Sequence, residues 1–381
     1  VFHSYPLVGG VYIQDKFEKE FIIINAGVRA EWCYLGKKVD EGSWKSQWEK
    51  ATGLKANWNS FKYRIAPRFG ISFPIQEETV LFFSYGHFYQ LPEMQYFYRD
   101  PFSGGLTGNP DLDYELTITY EFGVTHQLSD DLVIDVKSYA KDISEQVGQT
   151  TLQSASGTPV TIWDNKSYGR ARGLEFELNK DFSNNYSFKL TYTLQWANGY
   201  AASAFDDYVR SQNDFPYPIR ERRMNWDVRH EIIFQGTLAS PKGQPFNLFG
   251  LELPDDWGLT VLSNFNSGYA YTPGTNDPAE RQKLENVATG PVGLNTDIKF
   301  YKGFSIGDIN LKVTLDVFNV FDVRNVNLYY GFNPWTGQPF KYGDLVDDTH
   351  KYHNWYSAFY KRDPRQYMSG RYAKLGIKLD F

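Results

Sequence analysis

Apolar and polar residues alternate along most of this chain. In "NYSFKLTYTLQWAN" (185–198), Tyr186, Phe188, Leu190, Tyr192, Leu194 and Trp196 alternate with Ser187, Lys189, Thr191, Thr193 and Gln195. Successive side chains of an extended strand point to opposite faces, so this segment predicts a strand with one apolar and one polar face. "YELTITYEFGVTH" (114–126) repeats the pattern, with Leu116, Ile118, Tyr120, Phe122 and Val124 against Thr117, Thr119, Glu121, Gly123 and Thr125. In "DLVIDVKSYAKD" (131–142) the polar side runs Asp135, Lys137, Lys141. The chain ends on "RYAKLGIKLDF" (371–381), where Ala373, Leu375, Ile377, Leu379 and Phe381 share one face.

Thirteen such segments are expected: 7–17, 20–33, 62–73, 78–88, 114–127, 130–143, 168–180, 185–197, 228–240, 256–271, 290–303, 307–330 and 369–381. Many reach the roughly ten residues that a tilted strand needs to cross a bilayer, whereas strands of soluble sandwiches commonly hold about five or six. Short turns ("EKE", "PIQEE", "LSDD", "DFSNN", "FSIGD") alternate with long connections at 34–61, 89–113, 144–167, 198–227, 272–289 and 331–368. The connection at 241–255 falls on the short side but is longer than its peers. Alternating short and long loops is the pattern of an outer-membrane barrel with short periplasmic turns and long external loops. With the terminal strand ending in the periplasm, 331–368 and the other long connections face outside. No linker divides the chain, so residues 1–381 are expected to form part of one barrel domain.

Composition narrows the class further. Aromatic residues make up 18% of the 381, yet 22% are charged, and mean hydropathy is -0.50. Average hydropathy stays low in a membrane barrel because the apolar residues occupy alternate positions. No run approaches the 18 apolar residues of a spanning helix. The net charge of -6 argues against a general nucleic-acid binder. The single cysteine, Cys33, excludes an internal disulfide framework and reads as a small filler among alternating residues.

Several stretches resemble the TonB-dependent outer-membrane receptors. They are "VYIQDKF" (11–17), "NAGVRAEW" (25–32), "RIAPRFGISF" (64–73), "LFFSYGHFYQLPEMQYF" (81–97), "GNPDLDYELTITYEFGV" (108–124), "RGLEFELN" (172–179) and "DVFNVFD" (316–322), followed by the terminal phenylalanine. Family members often have Lys-Pro where this chain has Asp113 and Tyr114. The aromatic stretch from Tyr85 to Tyr98 is similar to the Oar-like branch, whose members often carry a carboxypeptidase-regulatory-like domain at the N-terminus. The resemblance implies a transmembrane antiparallel β-barrel of 22 strands, preceded by a plug and a TonB-binding box. This chain would then hold its C-terminal thirteen or so strands, without the plug. An odd strand set leaves two edges that lipid does not tolerate, and "VFHSYPLVGG" resembles neither a signal peptide nor a mature start. The chain is therefore expected to be a C-terminal portion of a longer one.

By the same resemblance, Phe381 would be the signal read by the barrel-assembly machinery. Further partners would be TonB through the missing box, outer-membrane lipids and lipopolysaccharide, and a surface lipoprotein. No cofactor is implied. The expected activity is import of a scarce ligand, with binding by the external loops and energy from TonB. A passive or structural barrel and a soluble all-β glycan-binding protein are the alternatives.

Candidate chemistry is sparse. No GxSxG elbow, P-loop or zinc-protease motif occurs in a supporting context, which points away from an enzyme. The loop 331–368 holds Trp335, Tyr342, Tyr352, Trp355, Tyr356 and Tyr360, whose flat faces and polar tips suit sugars, peptides or aromatic ligands, and equally loop packing or contact with a partner protein. Arg220 and Arg222, with Arg223 and Arg229, are candidates for an anionic ligand or lipopolysaccharide phosphate, with a rim of charge at the barrel mouth as the plainer reading. Asp206, Asp207 and Asp214 offer oxygen ligands for calcium, and His350 and His353 offer nitrogen ligands for a metal; a solvated loop is the plainer reading of both groups.

Overall fold

The computed structural model describes residues 4–40, 42–99, 106–154, 156–212, 218, 220–248, 250–275, 277–307, 309–327, 337 and 367–380. Thirteen wall strands follow one another in a single antiparallel meander. They are β1 (Leu7–Lys19), β2 (Ile22–Tyr34), β3 (Phe61–Gln76), β4 (Thr79–Gln90), β5 (Glu115–Ser129), β6 (Leu132–Gln153) and β7 (Pro159–Ser183). The path continues through β8 (Tyr186–Gly199), β9 (His230–Ser240), β10 (Trp257–Asn266), β11 (Gly293–Ile306), β12 (Ile309–Phe318) and β13 (Tyr372–Asp380). All thirteen expected segments are strands, and β1 and β13 lie at the two ends of the path.

The sheet turns its apolar face to the surroundings. Along β3, Tyr63 is 61% exposed and Ile65 56%, while Lys62 keeps only 8% and Ala66 1%. This inverts the soluble rule and matches a wall with lipid outside and a polar lumen within. Register continues the polar face from strand to strand: Glu121 stands opposite Tyr139, and Lys137 opposite Glu175. Lys137 pairs with Glu175 at 2.8 Å and Lys189 with Glu177 at 2.7 Å. Carboxylates and ammonium groups are thus paired across the lumen wall, where a charge facing lipid at mid-depth would cost about 2–4 kcal/mol.

Four boundaries differ from the sequence reading, each for a local reason. The expected loop 144–167 is mostly strand: β6 runs 22 residues and β7 25, so the pair rises as a ribbon beyond the wall. A register shift around Glu145, at φ 56, lets the ribbon bend. The strand expected over 307–330 stops at Phe318 because Asn319 adopts φ 50 and its side chain binds the Val323 backbone through both amide atoms, each at 2.9 Å. The strand expected over 256–271 stops at Asn266, before Gly268 at φ 92. The long connection at 241–255 contains a small hairpin, Phe246–Leu248 against Leu251–Leu253. Its Phe246 ring lies 6.3 Å from Trp257 at the foot of β10.

One glycine is dictated by a crossing side chain. Tyr139 on β6 reaches over β7 to bond Gln195 on β8 at 3.1 Å, and Gly173 lies beneath it. A Cβ at Gly173 would come within 2.6 Å of the tyrosine ring and 2.7 Å of the Leu194 carbonyl. Gly173→Ala is expected to destabilise the barrel by about 1–3 kcal/mol, lowering the midpoint at which the folded band is lost on heating in detergent. An unchanged midpoint would show that the ring lifts without cost.

Candidate ligand-binding face

The long connections fold against one another at the external end of the sheet. Helix Gly42–Thr52 leads from β2 towards β3, and helix Met94–Tyr98 follows β4. With the β6–β7 ribbon they enclose a buried hydrophobic core that includes Leu35, Trp48, Trp58, Phe97, Leu112 and Trp163. Trp58 meets Trp48 edge-on at 5.1 Å. The indole Nε1 of Trp48 donates to the Gly108 carbonyl at 2.8 Å, and the Asn109 amide donates to the Trp163 carbonyl at 2.8 Å. The stretch "GNPDLDY" is therefore a strap that ties the cap to the ribbon. Asn165 completes it, accepting from Asp113 N at 2.7 Å and donating to the Asp113 and Glu145 carbonyls. Asp113 also pairs with Arg64, and Tyr114 is buried against Tyr89, so the two residues that depart from Lys-Pro both have packed roles.

Beside the cap, charged residues join two further connections. Asp206 on helix Asp206–Gln212 and Glu285 beyond helix Pro278–Lys283 are both bound by Arg210 and by Arg222. Arg222 also donates to the Tyr200 carbonyl at 3.1 Å. Of the anticipated ligand residues, Arg222 is thus directed inward at carboxylates, while Arg220 is exposed. Asp206 and Asp207, considered as cation ligands, each face a basic group instead, Asp207 pairing with Lys166 at 3.0 Å. A fully buried carboxylate, Asp227, holds Arg223 at 2.8 Å and Arg229 at 3.0 Å. Among the described residues, no group of three or more metal-ligating side chains is assembled. Asp214, Trp335, Tyr342, His350, Tyr352, His353, Trp355, Tyr356, Tyr360 and Phe381 lie outside the described residues.

Two concavities open on the polar face. One, of about 530 Å³, lies along β1 to β5 and is lined by Gln14, Arg29, Arg68, Ser84, Phe88 and Glu121 among others. Arg29 there is paired with Glu31, and Arg68 lies over the Phe88 ring at 4.7 Å. The second, of about 380 Å³, sits at the external ends of β10 and β11 and is lined by Asn264, Asn266, Tyr269, Asn295, Asn325 and Met368 with several apolar residues. Asparagine clustering across strands is invisible to a reading of faces, because these residues come together only through register.

Two measurements address this face. Burial pushes the Tyr98 hydroxyl up to about 12, while the group donates to the Leu35 carbonyl at 2.6 Å. A tyrosine whose folded pKa is raised stabilises the fold fully below its unfolded value near 10 and loses that contribution as pH rises through about 12. Tryptophan fluorescence of the cap is expected to stay constant to about pH 10 and change above it; Tyr98→Phe should remove part of that dependence, and an identical profile would detach it from Tyr98. Arg222→Ala removes a shared partner of two carboxylates and is expected to speed proteolysis within 200–227 and 272–289. Unchanged cleavage rates would show that Arg210 alone suffices.

No curated protein matches the sequence. Among solved structures, the outer membrane transporter YddB from Escherichia coli superposes with TM-score 0.59 at 12% identity, over 84% of this chain and 42% of that one. The pyoverdine outer membrane receptor FpvA from Pseudomonas aeruginosa gives 0.54 at 13%, over 84% and 38%. The ferric-catecholate import receptor Fiu from E. coli K12 gives 0.52 at 14%, over 84% and 41%. These likenesses concern the fold, and the chain spans about two fifths of the length of those proteins. The family model for the TonB dependent receptor-like β-barrel matches residues 3–320. With an apolar outer face, a polar inner face and alternating short and long connections, this chain belongs to the TonB-dependent receptors, a family of outer-membrane receptors and transporters rather than enzymes.

Proposed function

We propose that this chain is the C-terminal part of a larger barrel that imports a scarce solute across the outer membrane. The observation that best supports this is the pairing of a polar, ion-paired lumen face with external connections built into a defined surface above it. A wall meant only to anchor a surface assembly gains nothing from such a lining. The backbone edges of β1 and β13 need partners within lipid, and the remaining strands of the longer barrel would supply them. By family, TonB would couple the inner-membrane proton gradient to movement of a plug within that barrel. Assembly through the barrel machinery, contact with lipopolysaccharide and association with a surface lipoprotein are part of the same proposal. The solved relatives are described as a transporter, a pyoverdine receptor and a ferric-catecholate import receptor, a range that leaves the cargo of this chain to be argued from its own residues.

Cells with and without the intact protein, grown on the same mixed medium, test the reading by comparison of the solutes they deplete. At least one solute is expected to disappear only where the protein is present, and its uptake to stop when a protonophore collapses the gradient. Protein-dependent uptake that survives the protonophore would instead identify a passive barrel.

A further inference from the structure

An asparagine-lined recess lies at the external ends of β10 and β11. Its walls are Asn264 and Asn266 on β10, Asn295 on β11, Tyr269, Asn325 and Met368, with Pro291, Val292, Leu294 and Val326. Among the described residues, no carboxylate, ammonium, guanidinium or imidazole lines it. The cavity of about 380 Å³ is within the range of small-molecule sites.

The amide orientations follow from their partners. Asn264 donates Nδ2 to the Glu231 carboxylate at 3.3 Å, and Asn295 donates Nδ2 to the Asp297 carboxylate at 2.9 Å. A carboxylate only accepts, so in both residues Nδ2 is fixed as the donor, and Oδ1 and the second Nδ2 hydrogen are left without a partner among the described residues. Asn266 is held the other way: its Oδ1 accepts from Gly268 N at 3.1 Å, leaving Nδ2. Asn325 is spent on the wall, bonding Leu294 N at 2.8 Å and Leu294 O at 2.7 Å. The recess therefore offers two amide oxygens of fixed orientation and N–H donors on Asn264, Asn266 and Asn295 beside apolar surface. Room for the Asn266 amide exists because residue 293 is glycine: a Cβ there would stand 2.3 Å from Asn266 Nδ2.

We infer that this recess binds a neutral, hydroxyl-rich ligand of the sugar class, an inference that rests on the import reading and specifies its cargo. An anionic ligand would lose hydration without gaining a counter-charge, and the nearest carboxylates, Glu231 and Asp297, are already engaged by the amides. A hydrophobic ligand would strand the amide atoms without partners. Neighbouring hydroxyls both donate and accept, so they satisfy mixed amide groups, while the C–H face of a sugar ring packs on Tyr269, Val292 and Met368.

The test uses the intact protein, extracted from outer membranes in detergent, on an array of neutral oligosaccharides with oligogalacturonates and oligoalanine as the charged and peptide comparisons. Binding of a neutral oligosaccharide in preference to both is expected. Asn266→Ala and Gly293→Ala should weaken it roughly three- to tenfold, with the heat-resistant folded band unchanged and Lys242→Ala, on the opposite rim, without effect. Absence of neutral-sugar binding, preference for the acidic sugar or the peptide, or insensitivity to both recess variants would overturn the inference. Gradient-dependent uptake of another solute without sugar binding would defeat this assignment alone. A sugar that binds as described but enters without the gradient would defeat the import reading alone.

Discussion

Every backbone N–H and C=O in the hydrocarbon layer needs a partner within the protein, and the rest of this structure depends on that requirement. Strands β2 to β12 meet it by pairing with their sequence neighbours on both sides, so the chain has little topological choice beyond a meander. Once backbone groups are paired laterally, side chains can only point outward or inward. Lipid then selects aromatic and aliphatic residues on one face, and the lumen admits Glu121, Lys137, Glu175 and Lys189 on the other. Hydrophobic burial, which organises soluble proteins, operates here mainly in the cap, where the chain leaves the wall and water must be excluded afresh.

That division explains how much could be read in advance. A period of two is a local property, and it located all thirteen wall strands before any contact was known. What ends a strand depends on single side chains. Asn319 closes β12 by capturing Val323, although the sequence beyond it still alternates well enough to look extended. The β6–β7 ribbon failed in the opposite direction, because its polar outer part reads as loop while its ladder continues to Gln153 and Pro159. Polarity there reflects distance from lipid, not loss of strand structure.

Site residues were less legible, for a related reason. Arg222 and Asp206 were singled out separately as anion and cation ligands, yet they satisfy each other, and the carboxylate that completes their group, Glu285, lies in a different connection. A charge in a loop has no period to reveal its partner, and only the fold shows whether it is spent. Trp48, Trp58 and Trp163 illustrate the same limit: aromatic richness was evident, but its use in a core rather than on a surface follows from three connections meeting.

The two halves of the external face consequently have different mechanical characters. Over β2 to β7, tryptophans, the strap at 108–114 and the rising ribbon form a packed body whose opening would expose a dry core, so a passing solute gains little by entering there. At the ends of β10 and β11, carboxylates hold the Asn264 and Asn295 amides and Gly268 N holds Asn266, with polar atoms of all three open to the recess. Polar groups open to a cavity favour a ligand that replaces water with better-placed hydroxyls. In the proposed assignment a packed half positions the mouth and an amide-lined half recognises what enters it, and both arise because the strands beneath fix where each connection begins and ends.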